Sequence, residues 1–526
     1  MRLHDYLDYQ AREHPDEEFA VQGDRRLTYR EAAGEANRFA NALIGAGLKI
    51  GDRISILSKN NIEYAILYYG ASKAGVVPVP LNYRLAPGEW TYIINDAGAK
   101  LLIAADDYAG AIDGIRGELK TVERFVGVHI EGMDGVEGWE DFGHWLAAQP
   151  ATAPERVLAI TDDHDVYQMY TSGTTGNPKG AVVTHGALSA QLTQITMLIQ
   201  SEPGLRTLIV VPMYHAAGAV SCFVTVYWGG CLYIQADFNP VEVVRALDEE
   251  RVATVTLVPA MIQALLVYVP DVAQRKYENL KQITYGASPI AEETLRRAMD
   301  TFKCDFAQAY GMTETTAVLT YLFPSDHRRA LKEQPELLLS AGRPVVGTEL
   351  RIVDESDEPA PNGTIGEIIA RGPQLMRGYW NLPDESAEAL RGGWMHTGDA
   401  GTVDGDGYLY IQDRVKDMIV SGGENVYPRV IEDVLFQHPA VADAAVIGVP
   451  DQQWGETVKA IVVLKEGASA TEEDVIEFCR GKLGGFERPR SVDFTDVLPR
   501  NPSGKVLKRQ LREPYWAGHK RRVAGV

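Results

Sequence analysis

The chain has 526 residues, 45% hydrophobic and 23% charged, with a formal net charge of −21. That length exceeds what one core supports, so roughly two to four domains or subdomains are expected. The acidic balance leaves no broad Lys/Arg surface for phosphate contacts and excludes general nucleic-acid binding. Cys222, Cys231, Cys304 and Cys479 form no CxxC pair and have no His partner at metal spacing. They read as buried or idle thiols of a reducing compartment, so a cytoplasmic location is expected. Met1 to Glu18 alternates charged and apolar residues and reads as no signal peptide. The longest apolar stretch, Leu208 to Ile234, is interrupted by Pro212, His215 and Gly229-Gly230. Buried elements around a pocket are expected there, with no integral membrane segment.

In chain order, Leu27 to Glu31 leads into a helix through Leu43, and Arg53 to Leu57 reads as a strand. An apolar helix from Glu63 to Ala74 ends at Gly75, and Val76 to Pro80 is a short extended run. This alternation to about residue 165 predicts a layered α/β sheet with covering helices. Next comes Tyr170-Thr-Ser-Gly-Thr-Thr-Gly-Asn-Pro-Lys-Gly180, between flanks that read as strands. Its glycines let successive N–H groups face one concavity, and its hydroxyls and Lys179 add donors and a positive charge, the chemistry of a polyphosphate cradle. It is not a Walker loop, because Pro178 and Gly180 stand where that motif needs Gly and Ser/Thr. A plain glycine-rich hairpin turn is the alternative.

The α/β pattern resumes with a strand from Leu208 to Val211, a helix from Ala217 and a strand from Cys231 to Gln235. A helix from Pro240 to Glu250 and strands at Thr254 to Val258, from Ile283 and from Phe306 follow. Ligands bind at strand ends in open α/β sheets, so the turns at 171–180, 286–289 and 310–315 are expected to converge on one crevice. From about Gly342 to 413, short strands and many Gly turns predict a β-rich subdomain. A hinge is placed at Arg414 to Met418, separating residues 1–413 from a small α+β domain, 419–526, with a helix from Pro428 to Phe436. Its basic end reads as either solvated or phosphate-facing.

Three residues carry candidate chemistry. Glu314, beside the cradle, suits Mg²⁺, which takes carboxylate and phosphate oxygens; it reads equally as a helix N-terminal acid behind Thr313. Asp399, in a Gly-flanked turn, suits a ribose diol or a bond to its own backbone. Lys505 stands on the Pro/Gly-constrained loop Pro499-Arg-Asn-Pro-Ser-Gly-Lys505, where a lysine acts as a delivered point charge or simply as surface.

Together with Tyr310-Gly-Met-Thr-Glu-Thr315, Thr397-Gly-Asp399 and Asp413-Arg-Val-Lys-Asp417, these motifs closely resemble the adenylate-forming superfamily. That superfamily comprises acyl-CoA synthetases, peptide-synthetase adenylation domains and firefly-type luciferases. The resemblance runs from Leu27 to Lys505 and implies an AMP-forming carboxylic acid–CoA ligase that uses ATP, Mg²⁺ and coenzyme A. It implies that Thr171, Ser172, Gly173, Thr174, Thr175 and Lys179 hold the ATP phosphates. Gly286, Ala287, Ser288, Pro289 and Tyr310 would enclose adenine; Asp399 and Arg414 would hold the ribose. Gln308, Ala309, Gly311, Met312 and Ile411 would complete the nucleotide site. Thr313 would contact phosphate or carboxylate, Glu314 would bind Mg²⁺, and Lys505 would bridge the acid and the α-phosphate. Lys416 matches the hinge of a mobile C-terminal domain, and Gly422, Gly423, Glu424 and Trp454 match the coenzyme A tunnel.

Within the superfamily, Val211 to Gly218 carries His215 and no acid. An ammonium there would lie unpaired in apolar surroundings, so amino acids are disfavoured. Tyr214 and His215 are placed at the acid pocket, with a core histidine as the equal alternative for His215. The apolar run from Ala216 to Trp228 suits a fatty, aryl or ring-bearing acid without saying which. A luciferase-like oxidase and a regulatory nucleotide-binding protein are the rival classes; the presence of both Glu314 and Lys505 argues against the second. A homodimer stays open, as does a lysine acetyltransferase acting on Lys505.

Overall fold

The computed structural model describes residues 1–128, 138–171, 177–199, 201–288, 290, 292–414, 417–421, 424–451, 453–500 and 506–517. Side chains at 413, 414, 424 and 425 are not described. A five-stranded parallel sheet contains Val77–Pro80, Arg53–Leu57, Leu101–Ala105, Arg124–Val128 and Glu140–Asp141 in that order. Arg53–Leu57 and Leu101–Ala105 are buried along their whole length, as strands of a parallel sheet covered on both faces are. The helices beside them start where the sequence supplies caps. Thr28 and Glu31 form a reciprocal capping box for Tyr29–Gly45, and Asn61 accepts from Tyr64 N at 2.7 Å to start Ile62–Ala74. Gly75, at φ 69°, closes that helix.

A nine-stranded sheet forms the centre, in the order Arg343–Pro344, Thr320–Leu322, Asp305–Tyr310, Gln282–Gly286, Val252–Leu257, Arg206–Ile209, Cys231–Ile234, Glu18–Gln22 and Arg25–Thr28. The inner run from Asp305–Tyr310 to Glu18–Gln22 is parallel and both margins are antiparallel. The helix Ala216–Tyr227 packs in the core between the sheets. The strand expected at Leu208 to Val211 lies earlier, at Arg206–Ile209. Pro212 has no N–H for a ladder, and Asn60 takes the flanking backbone groups instead, donating to Val211 O at 3.2 Å and accepting from Met213 N at 2.8 Å. The apolar run to Ile234 is thus strand, helix and strand, and among the described residues no helix is long and apolar enough to cross a membrane.

Asp165–Thr171 and Lys179–Thr184 pair antiparallel, joined by Gly378–Tyr379. Beyond 342 an antiparallel sheet orders Glu349–Val353, Gly366–Arg371, Met395–Val403 and Leu409–Arg414, the β-rich region expected, with one short helix, Pro383–Ala389. From Ile419 onward the strands Glu424–Val426, Ile419–Ser421, Gly455–Leu464, Val441–Asp451 and Ser491–Phe494 form a sheet of their own. Pro428–Leu435 packs on it through Ile431 and Leu435.

Candidate active site

The three turns converge. Thr171 and Lys179, Gly286 and Ala287, and Gly311 to Glu314 line one cavity of about 2210 Å³. It extends from these strand ends under the 216–227 helix.

The cradle stands on a braced hairpin. Thr171 pairs with Lys179 and Tyr170 with Gly180. Gln168 donates to the Tyr170 phenol at 3.1 Å, and that phenol donates to Asp96 at 2.5 Å. Burial, with the Asp96 carboxylate beside it, pushes the Tyr170 phenol far above its ordinary value. Arg53 reaches Gln168 at 3.2 Å and Asp165 at 3.0 Å, and lies 3.5 Å over the Trp380 ring. A Cβ at Gly180 would fall 2.7 Å from Gln168 Nε2, so a side chain there would push on the brace. Ser172, Gly173, Thr174 and Thr175 lie outside the described residues.

Glu314 sits in a single 3₁₀ turn, Thr313–Thr315, and is 5% exposed. Its carboxylate accepts from the Tyr379 phenol at 2.9 Å and from the Thr171 hydroxyl at 3.3 Å. Glu314 does stand in the first turn of this short helix, but Thr313 does not cap it: Thr315 closes the turn instead, accepting from Met312 N at 3.0 Å. Lys179 Nζ lies 5.2 Å from the Tyr379 ring centroid, so one tyrosine touches both charged groups. Among the described residues only hydroxyl and phenol donors meet the Glu314 carboxylate, and a buried carboxylate without a cation is costly. Thr316 is held at φ 65° and donates to Gln374 O at 2.6 Å.

Asp399 is not in a turn, as the sequence suggested, but inside the strand Met395–Val403, paired with Arg414. Gly398 adopts φ 67° and the register slips nearby, so a bulge gives the sequence its turn-like look. Asp399 is 7% exposed and accepts from the Tyr310 phenol at 2.8 Å. Gly286 and Gly311 serve backbone packing, since a Cβ would meet Ala309 O at 2.2 Å and Ala317 O at 2.0 Å. Ala287 is held at φ 66° on the cavity wall.

Met312, Thr313, Ala309 and His215 line the cavity. Tyr214 is buried beside His215, their ring centroids 4.4 Å apart. Gln308 pairs with Leu322, and Ile411 pairs with Gly401 while packing with Tyr310; these two, with Tyr214, Ser288, Tyr310 and Asp399, are not among the lining side chains, although Thr397 and Gly398 beside Asp399 are. Trp454 is 43% exposed on a turn where Asp451 accepts from its N–H at 2.8 Å, away from the described lining. Arg414 and Glu424 lie in strands. Pro289, Lys416, Gly422, Gly423 and Lys505 lie outside the described residues. Val506 and Lys508, close behind Lys505 in sequence, line the cavity. Arg512 pairs with Asp417 at 2.5 Å and Lys508 with Glu432 at 2.9 Å.

Sequence reasoning missed Tyr379, Asp96, Arg53 and Trp380. Each acts through a partner distant in the chain, and no local spacing signals that.

The AMP-binding enzyme family matches residues 7–380, and the AMP-binding enzyme C-terminal domain matches residues 430–505. A fatty acid–[acyl-carrier-protein] ligase, ScoC, from Streptomyces coeruleorubidus is 37% identical over 95% of this chain and 93% of that protein. A feruloyl-CoA synthase from an Amycolatopsis species is 36% identical over 96% of this chain and 97% of its own. The crystal structure of ATP-bound MatB from Rhodopseudomonas palustris superposes with a TM-score of 0.88 at 28% identity, covering 99% of this chain and all of that one.

Proposed function

Because the chain belongs to the family of AMP-binding enzymes, we propose that it works as an AMP-forming carboxylic acid–CoA ligase. A carboxylate oxygen attacks the α-phosphorus of ATP, the bond to the β-phosphate breaks, and pyrophosphate leaves. A thiol sulfur, having lost its proton, then attacks the acyl carbon of the adenylate and AMP leaves.

The observation that carries this reading is Glu314, a buried carboxylate met by hydroxyls, beside the braced hairpin and at the head of a cavity large enough for nucleotide and acid. Those donors fit a magnesium site: Glu314 would hold the ion beside Thr171, and the ion would supply positive charge against ATP phosphate oxygens. Lys179 and the 172–175 segment bind the phosphates. Asp399, oriented by Tyr310, accepts from the ribose hydroxyls with Arg414 nearby. Thr313 meets the reacting carboxylate and Lys505 offsets its repulsion from the α-phosphate.

Residues 414–418, with Lys416, form the pivot between 1–413 and 419–526. Turning the second domain withdraws Lys505 and brings Gly422, Gly423 and Glu424 to the thiol. Trp454, on its exposed turn, meets the pantetheine arm only after that movement. His215 bounds the acid pocket. The enzyme works in the cytoplasm; Lys505 acetylation would remove its charge, and fully active acetylated protein would end that idea.

Pyrophosphate release with ATP and Mg²⁺ tests the reading. The acid panel runs from fatty acids through benzoates, cinnamates and ring-bearing propionates to amino acids. Each acid is offered without a thiol, with CoA and with a phosphopantetheinylated carrier protein. CoA-dependent turnover of one acid class is expected. Turnover confined to amino acids, or none stimulated by CoA, would sink it.

A further inference from the structure

The deep half of the cavity lies between the 216–227 helix and one face of the nine-stranded sheet. Along Gln282–Gly286, and from Ala253 along Val252–Leu257, buried and half-buried side chains alternate, and the neighbouring Arg206–Ile209 sets Thr207 opposite Thr254. Leu208, Val255, Leu257, Ile283 and Tyr285 share one core cluster, each 1% exposed or less, with Val255, Leu257 and Tyr285 also bordering the cavity. The cavity face carries Thr207, Thr254, Thr256, Gln282 and Thr284, all half-buried and all lining it. Register sets them in rows: Thr207 opposite Thr254 opposite Gln282, then Thr256 opposite Thr284. Parallel strands covered on both faces are ordinarily apolar throughout, as Leu101–Ala105 of this molecule is. A polar face beneath a helix therefore needs a polar occupant.

The hydroxyls are organised. Thr207 and Thr254 lie 3.1 Å apart, and Ser221, on the covering helix, donates to Thr256 at 3.2 Å. Gln282 Nε2 donates to Thr284 and to the Tyr321 phenol, both at 3.0 Å. The opposite wall is mainly hydrocarbon, from Ile195, Leu198, Val220, Val224 and Val318, with Ser221, Thr225 and Trp228 as its polar points. At about 3.3 Å of rise per residue, Thr284 lies about 7 Å and Gln282 about 13 Å along the strand from Gly286.

We propose that the acid activated here carries a hydroxyl or carbonyl oxygen on its distal chain or ring. The Thr256–Thr284–Gln282 face binds that oxygen, while the hydrocarbon part lies against Val220 and Val224. This rests on the ligase reading above. A purely hydrocarbon tail would strip water from these groups and return nothing, whereas each hydroxyl keeps lone-pair or donor capacity beyond its internal bond. Sites built to hydrogen-bond a substrate hydroxyl discriminate strongly against the analogue lacking it.

The test is kcat/KM for pyrophosphate release on straight-chain acids from hexanoate to dodecanoate, each beside the same acid with a terminal hydroxyl. At least one hydroxylated acid is expected to exceed its parent by on the order of tenfold or more. Thr256→Val, Thr284→Val and Gln282→Leu should bring that ratio toward unity without slowing the parent acid, and Thr284→Ser should retain it. Parents preferred throughout the series, or a ratio that none of the variants changes, would overturn the inference and leave the ligase standing. No turnover with any acid would overturn both.

Discussion

Glu314 lines the mouth of the cavity and Asp399 lies just behind its Thr397–Gly398 wall; both are buried carboxylates, each held by a tyrosine phenol that arrives from a distant element. Among the described residues the cavity floor carries no charge; a strand face of Thr, Gln and Tyr meets a helix wall that is mainly hydrocarbon. Different elements build the two ends: the floor stands on strands of the nine-stranded sheet, whereas Glu314 sits in the turn after Asp305–Tyr310 and Asp399 in the antiparallel sheet beyond 342. On the proposed ligase reading, the mouth would present groups already fixed when the polyanion arrives, so that little reorganisation is needed during the reaction. The floor offers neutral hydrogen-bonding capacity, which selects a substrate without accelerating every one.

The comparison breaks if mouth variants change which acid is used, or if floor variants slow all acids equally. Lys505→Ala should cost about 3 kcal/mol or more in the adenylation step, yet thioester formation from supplied acyl-adenylate should persist. Equal loss of both half-reactions would remove the two-position account of the C-terminal domain. Glu314→Gln should lower kcat/KM by about a hundredfold for every acid alike, with no fall in Tm, since an unpaired buried charge is removed; rate and melting assays check both. Tyr310→Phe and Tyr379→Phe each delete a hydrogen bond to a carboxylate and should cost about 1.5 to 3 kcal/mol. The first should appear mainly in KM for ATP, the second in the magnesium dependence.

A third region separates stability from activity. His4, in the N-terminal helix Leu3–Glu13, and His185, at the start of the helix His185–Leu198, are buried near Asp5, Arg2, Lys73 and His164. Burial lowers His185 from 6.5 to about 3, and His4 is lowered by the same cause. Folding thus favours the neutral rings: their stability is fully present above pH 6.5 and is lost as pH falls toward 3, by about 1.4 kcal/mol per unit per histidine. Denaturation at pH 7 and pH 5 should show this, and His185→Gln should flatten the slope. The smallest effect belongs to Ala287. Its φ of 66° suits glycine, so Ala287→Gly should stabilise by about 1 kcal/mol, read as a rise in Tm with the acid preference unchanged.

Strand and helix positions were largely legible because hydrophobic period and caps are local, as at Thr28, Asn61 and Gly75. Where the reading slipped, a distant side chain had intervened. Asn60 takes the backbone beside Pro212, and a bulge at Gly398 makes a strand look like a turn.

The sequence by itself determined the α/β class, the order of the motifs and the identity of the charged groups, since these depend on neighbours within a few residues. Only the tertiary structure decided that Tyr379 holds Glu314, that Tyr310 holds Asp399 and that the Asp96–Tyr170–Gln168–Arg53 chain braces the hairpin. It also decided that Thr207, Thr254 and Gln282, far apart in sequence, share one row. Strand register brings such residues together, and register is settled by the packing of the whole sheet rather than by any stretch of it.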